Sequence, residues 1–326
     1  VSDAEVLAWL LEAENPSVRY LALTDLLDRP KDDPQSRAAQ AAIPGWGPAK
    51  TILDAQWPGG YWMRPGVGYS PKHKATVWQV VFLAALGTPQ TEAVGRACAY
   101  VFGHSRLPDG RFSAHKTAKG ATACLNGNLL RAMLQLGYED TRLGESLDAL
   151  AEMVVRDGFC CRFNARGAPA ARMRDGLPCA WGAIKALGAF ATASPELRSQ
   201  AMGCAVAAGI GFLLGGDLAG GGSATVTESN PPRQRFGFPL GCTSDLLEAL
   251  DVLARLGVGR DPRLMAAVEA VQAKRDKSGH WRLEQTPENT WGDFGQVGRP
   301  NKWVTLRALT VLRKCGEVED EDCHSV

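Results

Sequence analysis

The chain has 326 residues, with 36 lysines and arginines against 35 aspartates and glutamates and a formal net charge of +1. That balance gives no electrostatic footprint for nucleic acid or an anionic membrane, which leaves a small molecule or a protein as the expected partner. Nine cysteines without a charged and then apolar leader pattern argue against a secreted disulfide scaffold, so a reducing cytoplasm is the expected compartment.

In chain order, residues 3–11 and 17–27 read as a first helix pair, the second started by Asn15-Pro16. Residues 1–48 therefore form a divergent N-terminal pair. A glycine-aromatic turn, Gln56-Trp57-Pro58-Gly59-Gly60-Tyr61-Trp62, follows, and an apolar helix over 74–86 closes on Leu86-Gly87. The pattern then recurs. Thr88-Pro89 introduces a helix over 93–102, Asp109-Gly110-Arg111-Phe112 makes the next turn, and residues 123–136 close on Leu136-Gly137. A helix over 143–155, the turn Asp157-Gly158-Phe159 and a helix over 178–190 containing Leu187-Gly188 form the next copy. Ser194-Pro195 starts residues 197–214, a ragged loop covers 218–235, and residues 243–256 close on Leu256-Gly257. Asp261-Pro262 starts 264–274, Ser278-Gly279-His280-Trp281 is the last turn, and a helix runs over 301–313. The acidic tail 317–326 reads as disordered.

The closing glycines lie 50, 51 and 69 residues apart, which suits a helix pair plus a long connection. The second helix of each pair is the more apolar, as a helix packed on both sides requires. Six such helices inside six amphipathic ones form an all-α toroid of the (α/α)6 type, a single domain over 1–316. The uncharged run between Arg198 and Asp217 contains five glycines and four alanines and reads as a buried or monotopic surface helix. No transmembrane span is expected, though peripheral membrane contact fits that reading.

The turn Gln56-Trp57-Pro58-Gly59-Gly60-Tyr61-Trp62 resembles the QW motif of terpenoid cyclases. The later turns and the segment Asn301-Lys302-Trp303-Val304-Thr305-Leu306-Arg307-Ala308-Leu309 resemble repeats of squalene-type cyclases and protein prenyltransferase beta subunits. This resemblance covers residues 50 to 315 and implies a toroid with a central cavity for an apolar, isoprenoid-like ligand. Physically the motif works as a clamp, with glycine making the tight turn and the aromatic ring packing on an adjacent helix. The sequence departs from the family in lacking the Asp-rich DxDD donor and a DDxxD-like cluster for magnesium. Asp245, alone near an inner-helix start, is the candidate general acid.

Cys124 and Cys179 begin consecutive inner helices, and Cys160 and Cys161 follow the turn between them. These thiols converge in a closed ring and are candidate ligands for zinc, with His115, Asp245, Cys242 or water as a fourth. Core packing and a redox or catalytic thiol are the competing readings. Trp78, Trp181 and Trp303 on inner helices are candidate substrate-binding rings that would face a carbocation or an ammonium. His73 is a candidate for an anionic headgroup, and Lys302, with Asn301 at the rim, is a further candidate substrate-binding residue. Two further readings stand beside the enzyme: a noncatalytic toroid binding a ligand or protein, and an elongated HEAT-type solenoid suggested by Asn15-Pro16-Ser17-Val18-Arg19-Tyr20-Leu21.

Overall fold

The computed structural model describes residues 2–161, 177–216, 218–219 and 233–316. The acidic tail and most of the ragged loop therefore lie outside the described residues. The helices in chain order are α1 (Asp3–Leu10), α2 (Pro16–Leu21), α3 (Pro34–Ala42), α4 (Gly47–Asp54), α5 (Thr76–Ala85), α6 (Glu92–Ser105) and α7 (Ala123–Gln135). After these come α8 (Leu143–Asp157), α9 (Ala180–Thr192), α10 (Gln200–Leu214), α11 (Leu246–Arg255), α12 (Met265–Gln272) and α13 (Lys302–Cys315). A π turn over Ala22–Leu26 prolongs α2. Two short strands, β1 (Cys160–Cys161) and β2 (Leu177–Pro178), pair antiparallel between α8 and α9.

Helices α2, α5, α7, α9, α11 and α13 form the inner ring. Each packs on the next from α5 to α13, and α13 packs on α2 and its π turn. Closure comes at α2 and α5, where the Ser17 hydroxyl donates to the Leu86 carbonyl at 2.8 Å. The inner helices are buried almost all round; α5 buries every residue from Thr76 to Ala84. That is why their sequences are nearly continuous in apolar residues. The outer ring runs through α1, the α3–α4 pair, α6, α8, α10 and α12. The architecture is the all-α toroid, with its ends joined rather than extended as a solenoid.

The glycine-aromatic turns are the joints of this double ring. Trp62 and Trp281 are fully buried. Each indole N–H donates to the end of the preceding outer helix, Trp62 to Ile52 at 2.7 Å and Trp281 to Val271 at 2.8 Å. Each backbone N–H donates to a threonine in the first turn of the following inner helix, Thr76 and Thr305 respectively. Gly60 and Gly279 adopt left-handed φ of 82° and 78°. A Cβ on Gly60 would lie 2.6 Å from the Arg96 carbonyl oxygen on α6, and one on Gly279 would lie 2.7 Å from Val6 on α1. Each turn thus presses on the next outer helix, and the last presses on the first.

Two sequence expectations move. Residues 30–54, read without a helix, contain α3 and α4, and Asp33 caps α3 through the amides of Gln35 and Ser36. After Thr88-Pro89 the helix waits until Glu92, where Thr91 supplies the cap. The uncharged run becomes outer helix α10, capped by Ser199. No helix among the described residues is long and apolar enough to cross a membrane.

Candidate functional site

The inner helices run in one direction, so their N-termini share one end of the lumen and their C-termini the other. The N-terminal end is filled. Phe238 stacks on Trp303 with ring centroids 4.8 Å apart, and Phe294 stands edge-on to Phe82, Phe238 and Trp303. His73 packs beside Trp78 and Phe82 and meets the Glu288 carbonyl through Nδ1 at 3.2 Å. Burial pushes its imidazole pKa below the ordinary value. Side chains pin this plug in place: Asn128 Nδ2 donates to Gly241 O at 2.9 Å, and Arg307 Nη1 donates to Gly237 O at 2.6 Å.

Below the plug lies a cavity of about 160 Å³ that reaches the exposed C-terminal residues Gln135 and Arg255. It has two unlike halves. Leu21, Val81, Ala84, Ala85 and Leu306, with Phe238, Leu240 and Trp303 from the plug, make an apolar arc. The other half, mainly on α7, α9 and α11, carries Arg131, Lys185, Glu248, Asp251 and Arg255. Lys185 is only 1% exposed and pairs with Glu248 at 2.7 Å. Arg131 reaches Glu248 and Asp251 at 3.3 Å each. Burial alone would raise the Asp251 pKa, but the charges of Arg255, Arg131 and Lys314 hold it down to about 2. Such charges are stable away from water only when paired. Hydrophobic periodicity does not announce this belt, because Lys185 and Arg131 each stand alone inside an apolar helix.

Asp245 is fully buried at the start of α11. Its carboxylate accepts from the amides of Glu248 and Gly237 at 2.9 and 3.0 Å, and from Arg307 Nη1 and Nη2 at 2.9 and 2.6 Å. Four donors and a formal counter-charge make it the clamp that ties α11, α13 and the plug together.

Of the other candidate residues, only Trp303 lines the lumen. It is 6% exposed, and its indole N–H donates to Ser17 Oγ at 3.1 Å. Trp78 is buried and donates to the Tyr69 carbonyl at 2.8 Å. Trp181, in the first turn of α9, stacks under the Arg233 guanidinium. Lys302 donates to Trp9 O at 2.7 Å and pairs with Glu12, tying α13 to the N-terminal segment.

The four cysteines do come together. Cys124, Cys160, Cys161 and Cys179 line one rim pocket of about 380 Å³, with Arg111, Lys119 and Arg156 at its border. Cys124 lies beside Thr122, its Sγ 3.3 Å from Oγ1, and burial pushes its thiol up to about 11. Zinc wants about four N or S ligands in tetrahedral array. Among the described residues no three of His, Cys, Asp and Glu are grouped to hold a metal ion. The inner-helix N-termini at this rim are mostly occupied as well. Asn15, Thr122, Asp245 and Asn301 cap α2, α7, α11 and α13 with their side chains.

No protein-family model and no curated protein matches the chain. Among solved structures, a protein from Actinoplanes is similar to it at 14% identity and a TM-score of 0.43, over 94% of this chain and 89% of that one. A variant of the type II terpene cyclase MstE from Scytonema, in complex with merosterolic acid A, is similar at 12% identity and a TM-score of 0.33, over 96% of this chain and 99% of that one. The same cyclase without ligand is similar at 14% identity and a TM-score of 0.32, over 81% of this chain and 95% of that one.

Proposed function

We propose that the protein is a toroid that holds a short, apolar, isoprenoid-like molecule in its lumen, admitted from the C-terminal end of the inner helices. The observation that carries this reading is the apolar arc from Leu21 to Leu306, closed at one end by the Phe238–Trp303 stack and open at the other. Burying an alkyl chain on such a wall contributes about 0.8 kcal/mol per methylene. The lumen, at about 160 Å³, is smaller than the roughly 300 Å³ at which ordinary ligand pockets begin. It suits a chain of about ten carbons better than a long polyprenyl group.

The reading favours binding over proton-initiated cyclisation. Asp245, the candidate acid, spends its carboxylate on Arg307 and two amides, and it does not line the cavity. Zinc forms no part of the reading. Native mass spectrometry with added geraniol tests it: a one-to-one adduct is expected for the wild-type chain, and Leu306→Trp, which fills the lumen, removes it. An adduct unaffected by Leu306→Trp, or none with either chain, rejects the lumen as the site.

A further inference from the structure

The charged half of the lumen specifies the end group that the ligand carries. Arg131, Lys185, Arg255 and Arg307 line the cavity together with Asp25, Glu248 and Asp251. Asp245 stands behind Arg307, and Lys314 stands 3.6 Å from Asp251. Five cations therefore meet four carboxylates, and the belt retains a single positive charge.

Hydrogen bonding leans the same way. Each carboxylate has at least one donor: Asp245 has Arg307, Asp251 has Arg255 and Arg131, Glu248 Oε1 has Lys185 and Arg131, and Asp25 has Arg255. Glu248 Oε2 is buried without a hydrogen bond and is held by the Lys185 charge at 2.7 Å. The donors are less fully used. Arg131 makes only two long contacts, one from each Nη, and the three protons of Lys185 share one carboxylate. Across the ring from α7, Thr310 lines the cavity at 6% exposure, and its hydroxyl has no partner. A helical threonine can satisfy its hydroxyl on the carbonyl four residues back. Thr310 does not, and a buried hydroxyl without a partner is destabilising until an acceptor arrives.

We propose that the lumen ligand ends in one carboxylate, received by Arg131 and Lys185, which share Glu248, and by the Thr310 hydroxyl from the opposite wall. The apolar body lies along the arc of Leu21, Val81, Leu240 and Leu306. This inference rests on the lumen being the apolar-ligand site. A single carboxylate matches the one unbalanced charge, whereas a diphosphate brings several charges to a belt that offsets one.

Calorimetric titration of the full chain with geranic acid, geraniol and geranyl phosphate near neutral pH tests it, using wild type, Arg131→Gln and Thr310→Val. Geranic acid binds wild type about 10- to 100-fold tighter than geraniol, the difference made by charge-assisted hydrogen bonds. Both substitutions shrink that preference, read in each variant as the ratio of its own affinities for geranic acid and geraniol. Thr310→Val removes only an unpartnered hydroxyl, so it carries the test if Arg131→Gln fails to fold. Equal affinity for acid and alcohol overturns the carboxylate and keeps the lumen site. Tighter binding of the phosphate overturns the single charge, and a preference unchanged in Thr310→Val overturns the role of that hydroxyl. No binding of any of the three overturns the lumen reading itself.

Discussion

Asp245 on α11 and Arg307 on α13 are joined by two parallel contacts, at 2.9 and 2.6 Å, and the same guanidinium holds the Gly237 carbonyl of the plug. The pair thus fixes the plug that closes the lumen as well as two inner helices. Asp245→Asn keeps a capping oxygen but removes the carboxylate paired directly with Arg307, leaving only Glu248 and Asp251 to act on its charge. The expected loss is about 3–5 kcal/mol, read by urea denaturation. The double variant Asp245→Asn/Arg307→Gln loses less than the two single variants added together. A single variant costing under about 1 kcal/mol contradicts the clamp.

Lys185 and Glu248 make the second buried pair, at 2.7 Å. Lys185→Met preserves most of the volume and strands Glu248 with Arg131 alone, at 3.3 Å. Thermal unfolding of that variant is expected to fall by about 3–5 kcal/mol in stability, with partial recovery when Glu248→Gln is added. No recovery in the double variant shows that packing, not charge, dominates at Lys185.

Acid sensitivity has a defined source. The Asp251 carboxyl, penalised by burial but held by Arg255, Arg131 and Lys314, titrates at about 2 in the folded chain against 3.8 ordinarily. A depressed folded pKa stabilises the fold above the unfolded value, and that contribution is lost as pH falls. Stability is therefore expected to drop from just above pH 4 toward pH 2. Asp251→Asn lowers stability at neutral pH and flattens this acid limb. A limb equally steep in Asp251→Asn places the titrating group elsewhere.

The thiols differ enough to be ordered by labelling. Cys204 is exposed on α10, whereas burial raises Cys98 to about 12 and Cys124 to about 11. With iodoacetamide near pH 8, Cys204 is modified first, Cys124 more slowly because its raised pKa leaves little thiolate, and Cys98, buried in α6, only in denaturant. Labelling of Cys98 in the folded chain contradicts its burial, and labelling of Cys124 as fast as Cys204 contradicts its raised pKa. Metal analysis after purification without chelator is expected to give far less than one zinc per chain; a stoichiometry near one shows a ligand set beyond the described residues.

The ring was legible because its cause is local and repeated. Left-handed glycines, buried aromatics and nearly all-apolar inner helices leave marks in single segments, and Trp62 and Trp281 make matching contacts. That Cys124 and Cys179 share a rim pocket followed from their equivalent positions on neighbouring inner helices, and Cys160 and Cys161 line it from the connection between them. Helices α3 and α4 escaped because they are short and bury few apolar residues, although Asp33-Pro34 repeats the cap seen at Asp261-Pro262. The lumen was the hardest part to read. Lys185, Arg131, Glu248 and Asp251 come from three helices, and each looks like a stray charge until the ring brings them together.

The most direct measurement is a crystal structure of the protein grown with geraniol. Ligand density along Leu21, Val81 and Leu306, ending against the Phe238–Trp303 stack, is the predicted result. Density confined to the cysteine-lined rim pocket, with the lumen unchanged, would contradict the account.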